Sequence, residues 1–177
     1  MSRREKHPLE PFFPKDAEIL ILGSFPPPKA RWSMEFFYPN RQNDFWRILG
    51  LVFFNDRDHF LLPEADSRDE KGVRYFDEGK IRRFLTERRI ALYDAAIEVI
   101  REKGNASDSA LTVVRALDLA TALKNLPCVR AILLTGQKSM EGGSGKPLLT
   151  ARLRIFFVWQ ENRMRPIFIG RNEIFAV

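Results

Sequence analysis

Cysteine and histidine are almost missing from this chain: Cys128 is the single cysteine, and His7 and His59 are the two histidines. One thiol excludes an internal disulfide and any iron–sulfur or zinc site built from cysteines alone. Two imidazoles give no basis for a histidine-rich metal centre, so neither a protein-bound metal nor a cofactor is expected. Long apolar runs are missing too, since none approaches the roughly 18–20 residues that span a bilayer. The opening "MSRREKHPLEPFFPKD" is basic, with no apolar stretch behind it, and so does not read as a secretory signal. These absences lead to the expectation of a soluble, cytoplasmic protein that stays off membranes.

What the chain does contain is 177 residues, 45% of them hydrophobic and 29% charged, which describes one globular domain over residues 1–177. The net charge of +6, from 29 Lys and Arg against 23 Asp and Glu, favours an anionic partner. Each Lys or Arg set against a phosphate releases condensed counterions. Solubility alone is the competing explanation for that charge.

"AEILIL" (17–22) reads as a buried strand that stops at Gly23. From Asn43 the period changes: Phe45, Leu49 and Phe53 share a face with Trp46, Ile48 and Val52, which suits a largely buried helix. Residues 55–75 read as a loop, 77–89 as an amphipathic helix with Ile81, Phe84 and Leu85 inward, and "IALYDAA" as a strand ending near Asp94. "REKGNASDSA" is turn-rich, and Asp118 is placed to cap a short helix through Leu126. "CVRAILLTGQ" is a third strand, "EGGSGKP" a loop, and "RLRIFFVWQ" and "RMRPIFIG" are β-rich. Strands alternating with helices imply βαβ units around a mainly parallel sheet, whose ligands bind beyond the carboxyl ends of the strands.

Several familiar chemistries fail on spacing. In "GGSGK" the position five before Gly145 is Met140, and Pro147 stands where a phosphate loop needs Ser or Thr. Ser24 follows a strand but lacks the flanking glycines of a nucleophile elbow, and no histidine is obviously placed to activate it. The stretch "GSFPPPKARWSMEFFYPNRQNDFW" remains. Pro26, Pro27 and Pro28 fix φ and lower the entropy lost on ordering a loop. Phe36, Phe37 and Tyr38 offer flat faces, and "NRQN" offers amides. Stacking surfaces beside amides suit an extruded nucleobase. Core packing is the competing role for Phe45 and Trp46, and helix capping is the competing role for Asn43.

"LILGSFP" followed by "FFYPNRQNDFW" resembles the first motif region of the uracil-DNA glycosylase superfamily, and most nearly its hypoxanthine-DNA glycosylase branch. "FDEGKIRRFLTERRIALYDAA", "GNASDSAL" and "AILLTGQKS" follow in a matching order, so that the resemblance covers roughly residues 17–140. It implies a three-layer α/β/α sandwich around a central four-stranded parallel sheet. It also implies a monomer that removes deaminated bases, uracil or hypoxanthine, from DNA by hydrolysis during base excision repair, without metal or cofactor. Asn43 matches the asparagine thought to be essential in the hypoxanthine branch. Gly23, Ser24, Phe25 and Pro26 match the water-activating loop, although Phe25 stands where other branches carry Asp or Asn. Tyr38, or else Phe37, matches the aromatic lining the base pocket. Residues 140–177 depart from the pattern: "RNEIFAV" follows the last strand where a Ser/Pro-rich loop is expected. A catalytically weak nucleic-acid-binding homologue and a small nucleotide- or nucleoside-binding protein therefore remain alternatives.

Overall fold

The computed structural model describes residues 4–63, 74–101, 111–135, 156–160, 163–169 and 174–176, the last three segments as backbone. The chain divides into two compact units, one formed by Met1–Phe25 with Thr86–Val177 and the other by Pro26–Leu85.

The first unit is built on strands. β1 (Arg4–Lys6), β2 (Ile19–Gly23), β3 (Ile90–Asp94), β4 (Ala96–Arg101), β5 (Leu111–Ala116), β6 (Ala131–Leu134), β7 (Phe156–Gln160), β8 (Arg163–Ile169) and β9 (Ile174–Ala176) form two sheets. One is ordered β3-β2-β6-β7-β8-β9 and the other β1-β4-β5. β2 pairs in parallel with β3 (Ile19↔Ile90 through Gly23↔Asp94) and with β6 (Ile19↔Ala131 through Leu22↔Leu134). All five residues of β3 are buried, as a strand covered on both faces requires. The mixed α/β class expected from the sequence is present, but the sheet is not simply four parallel strands. Parallel pairing reaches β7 through one register pair, Leu134↔Val158, and β8 and β9 then add antiparallel. The connection from β7 to β8 spans only residues 161 and 162, too few for the crossover that parallel strands need.

The three-stranded sheet was not read from the sequence. β4 pairs antiparallel with both β1 and β5, and Phe25, Ala96, Val99 and Leu111 pack into a small apolar cluster with Val113 against it. "AIEVIR" and "LTVVRA" carry β-branched residues, which is the signal for strands, but the turn-rich residues between them draw attention to the loop instead.

α3 (Leu119–Lys124) starts as expected: Asp118 Oδ1 accepts from Thr121 N at 3.1 Å, and Oδ2 accepts from the Thr121 hydroxyl at 2.7 Å. The Thr121 hydroxyl and backbone bonds hold the Asp118 carboxyl below its ordinary range. Stability from a depressed carboxyl is present above its unfolded pKa and is lost as pH falls through the folded one. Asp118→Ala is therefore expected to lower the thermal midpoint in neutral buffer, and the two midpoints should converge in strongly acidic buffer. Circular dichroism melts at both pH values check this.

The second unit carries α1 (Phe45–Phe54) and α2 (Glu78–Glu87, whose last two residues belong to the first unit). Asp77 Oδ1 accepts from Lys80 N at 2.8 Å to start α2, whose buried face is Ile81, Phe84 and Leu85 as expected. α1 ends on Asn55 in the left-handed region (φ 53°), and Gly50 lets the Asp56 carbonyl approach so closely that a Cβ there would lie 2.4 Å from its oxygen. α1 is not the largely buried helix expected. Trp46 and Gly50 are buried, but Leu51, Val52, Phe53 and Phe54 are exposed. Among the described residues no helix is long and apolar enough to cross a membrane.

Candidate active site

The expected site residues fall in both units: Gly23, Ser24 and Phe25 in the first, Pro26, Tyr38 and Asn43 in the second.

In the first unit, β2 delivers Gly23 to the carboxyl end of the parallel sheet, where such folds place their ligands. The turn leaving it is tied to the adjoining segment by its backbone: Ala95 N donates to Gly23 O at 2.8 Å, and Ala96 N to Ser24 O at 3.2 Å. Ser24 is buried, and Phe25 turns its ring into the cluster with Ala96 and Val99. Phe25 thus anchors this turn from below, and its contribution to a ligand would come through its backbone.

The structure adds a pair that the sequence reading missed. His7 Nε2 lies 2.9 Å from Asp94 Oδ2, and the two side chains keep only 1% and 9% of their exposure. The His7 ring meets Phe25 edge-on at 5.4 Å and Tyr93 at 4.8 Å. Burial, and then the negative charge of Asp94, push the Tyr93 phenol up. Residues 7 and 94 are far apart in sequence; only the fact that "LYD" closes a strand hinted that Asp94 lies at a site edge.

In the second unit, the prolines act as a brace. Trp32 Nε1 donates to Pro27 O at 2.7 Å, and Arg31 N to Pro28 O at 2.9 Å. A bridge between Trp32 and Asn40, with Ser33 N and Oγ both donating to Pro39 O, closes the loop that carries the aromatics. Phe36 and Phe37 do not offer open faces, because they are 2% and 1% exposed and pack in the core. Tyr38 is half-buried, with a positive φ of 51°, a backbone state that costs a bulky residue on the order of 1–3 kcal/mol. Its ring stacks on Phe45 at 3.9 Å and 21°, so Phe45 occupies one of its two faces. Trp46, fully buried as expected, donates from Nε1 to Phe37 O at 3.1 Å.

Asn43 precedes α1 by two residues. The N-cap position belongs to Asp44, whose side chain makes no capping bond; instead Asn43 Oδ1 accepts from Phe45 N at 2.8 Å. The backbone of Asn43 is held as well. Its N–H donates to Asn40 O at 2.9 Å, and Arg47 Nη1 donates to both Asn43 O and Arg41 O at 2.9 Å. The two ends of the Asn43 amide are therefore placed differently. The oxygen serves the helix, and among the described residues Nδ2 has no hydrogen-bond partner. No cluster of potential metal ligands occurs among the described residues.

Comparison with known proteins gives one kind of match. The chain is similar to a solution NMR structure of "a putative Uracil DNA glycosylase from Methanosarcina acetivorans", with 25% identity over 75% of this chain and 71% of that one, and a TM-score of 0.47. That degree of overlap assigns neither fold nor activity. No family model and no curated protein matches the chain.

Proposed function

We propose that this protein is a monofunctional DNA glycosylase that hydrolyses the N-glycosidic bond of deaminated bases, uracil or hypoxanthine, during base excision repair. It would act as a cytoplasmic monomer, without metal or cofactor, in a uracil-DNA glycosylase-like domain over residues 1–177. The observation that carries the reading is the amide of Asn43: it is pinned through its oxygen and its backbone, and its pair of donor hydrogens meets no acceptor among the described residues. Such a donor fits a base carbonyl, on which negative charge grows as the glycosidic bond breaks. The second lone pair of Oδ1 fits the ring N–H beside that carbonyl. Uracil and hypoxanthine both present this carbonyl and N–H pair, and cytosine and adenine present the reverse. Asn43 would thus reject cytosine and adenine without separating the two damaged bases, and thymine and guanine, which carry the same pair, would have to be excluded by other groups. Tyr38 would stack on the base, and the Gly23–Pro26 turn would contribute backbone groups. The net charge of +6 suits a DNA partner.

Incubation with uracil- and hypoxanthine-containing oligonucleotides, followed by alkali, should yield strand breaks at the damaged position. No cleavage of either at enzyme excess overturns the reading. The bond from Phe45 N to Asn43 favours one alternative, a nucleic-acid-binding homologue in which Asn43 serves only its helix. That protein would bind DNA in a salt-dependent way and release no base.

A further inference from the structure

Asp94 is a buried carboxylate with only one of its two oxygens bonded by a side chain or backbone group among the described residues. It is 6% exposed, its Oδ2 is bonded to His7, and among the described residues Oδ1 accepts no hydrogen bond. A carboxylate kept for structure alone would be expected to have both oxygens satisfied, because an unpaired buried polar atom costs on the order of 1–3 kcal/mol. Its place is also informative. Asp94 is the last residue of β3 and the register partner of Gly23, the last residue of β2. Register partners on parallel strands project to the same face, and glycine adds no side chain of its own beside the Asp94 carboxylate. The turn that follows, Gly23–Phe25, brings no carboxylate or amide of its own.

His7 explains how such a group is held. With its hydrogen on Nε2 it donates to Asp94 Oδ2, while Nδ1 lies 3.2 Å from Leu9 N and 2.9 Å from Leu9 O. The ring is thus gripped at both ends, and its backbone N–H is fixed on Ile97 O at 2.8 Å. With both nitrogens occupied and almost no exposure, His7 is a positioning residue and not itself a base.

Resting on the glycosylase reading above, we propose that Asp94, oriented by His7, is the carboxylate that activates the hydrolytic water. Asp94 Oδ1 takes a proton from water as the oxygen bonds to the sugar C1′. The C1′–N bond breaks with its electron pair leaving on the base. The base then gains a proton from solvent, Asp94 returns its own to solvent, and one water has been added across the bond. The negative charge of Asp94 also favours the cationic sugar that develops along this path.

The test is single-turnover base release from uracil- and hypoxanthine-containing oligonucleotides. Asp94→Asn keeps the shape and the acceptor for His7, and should slow release by about 100-fold or more with oligonucleotide affinity unchanged. Should that variant fail to fold, Asp94→Ser is the replacement, and added formate should restore part of its release. His7→Gln, which can still donate to Asp94, should stay much closer to wild type than His7→Leu, with the difference in the chemical step and not in affinity. Wild-type release by Asp94→Asn, or no response of Asp94→Ser to formate, overturns the assignment and leaves the glycosylase reading standing. No release by the wild-type protein overturns the glycosylase reading, and the assignment falls with it.

Discussion

Asn43→Asp is expected to fold as well as the wild type and to lose base release by about 100-fold or more, the usual cost of removing one donor to a developing anion. The substitution keeps the oxygen that accepts from Phe45 N and replaces only Nδ2. An added negative charge just before the first turn of α1 favours the helix macrodipole, so stability should hold or rise slightly. Near an anionic leaving base, the same charge opposes the reaction. Asn43→Ala removes both functions, and should lose the cap, worth about 0.5–2 kcal/mol, as well as activity. Thermal melts and single-turnover release on the two variants separate the roles. If Asn43→Asp releases base at the wild-type rate, Asn43 is a helix-starting residue and nothing more.

Trp46→Ala is expected to cost about 3–5 kcal/mol, the typical loss for a large buried aromatic, and to unfold the Pro26–Leu85 unit in mild denaturant. Trp46 is fully buried, with Phe36 stacked at 6.4 Å and Phe60 edge-on at 5.9 Å. Trp46→Phe should cost less in packing but leaves the Phe37 carbonyl without its indole donor, for a loss of about 1–3 kcal/mol. Because that carbonyl immediately precedes the strained Tyr38, the variant should also disturb the loop around it. Urea titration followed by circular dichroism measures both effects. A loss below about 1 kcal/mol for Trp46→Ala would show that this ring does not hold the unit together.

Local chemistry made part of this molecule legible from the start. The apolar run 17–22 and its glycine stop gave β2, the 3.6-residue spacing gave both long helices, and Asp118 announced its cap, because each signal lies within a few residues of the feature it produces. The core role of Trp46 was readable for the same reason. Phe36 and Phe37 are buried where the sequence predicts open faces, since burial depends on what surrounds a ring and not on the ring. The end of α1 is exposed where the sequence predicts burial, for the same reason: an apolar residue has the same letter whether or not anything covers it.

For the candidate site, the amino-acid sequence alone determined which residue types cluster after the first strand: a glycine turn, a proline brace, aromatics and Asn43. Tertiary structure alone decided what each is free to do. It left Asn43 Nδ2 without a partner among the described residues, set Tyr38 at positive φ against Phe45, and turned Phe25 into an apolar cluster. It also joined His7 to Asp94 across 87 positions of the chain. Sequence separation carries no information about such a pair, because it is the antiparallel pairing of β1 with β4, continued by His7 N on Ile97 O, that sets His7 beside the end of β3.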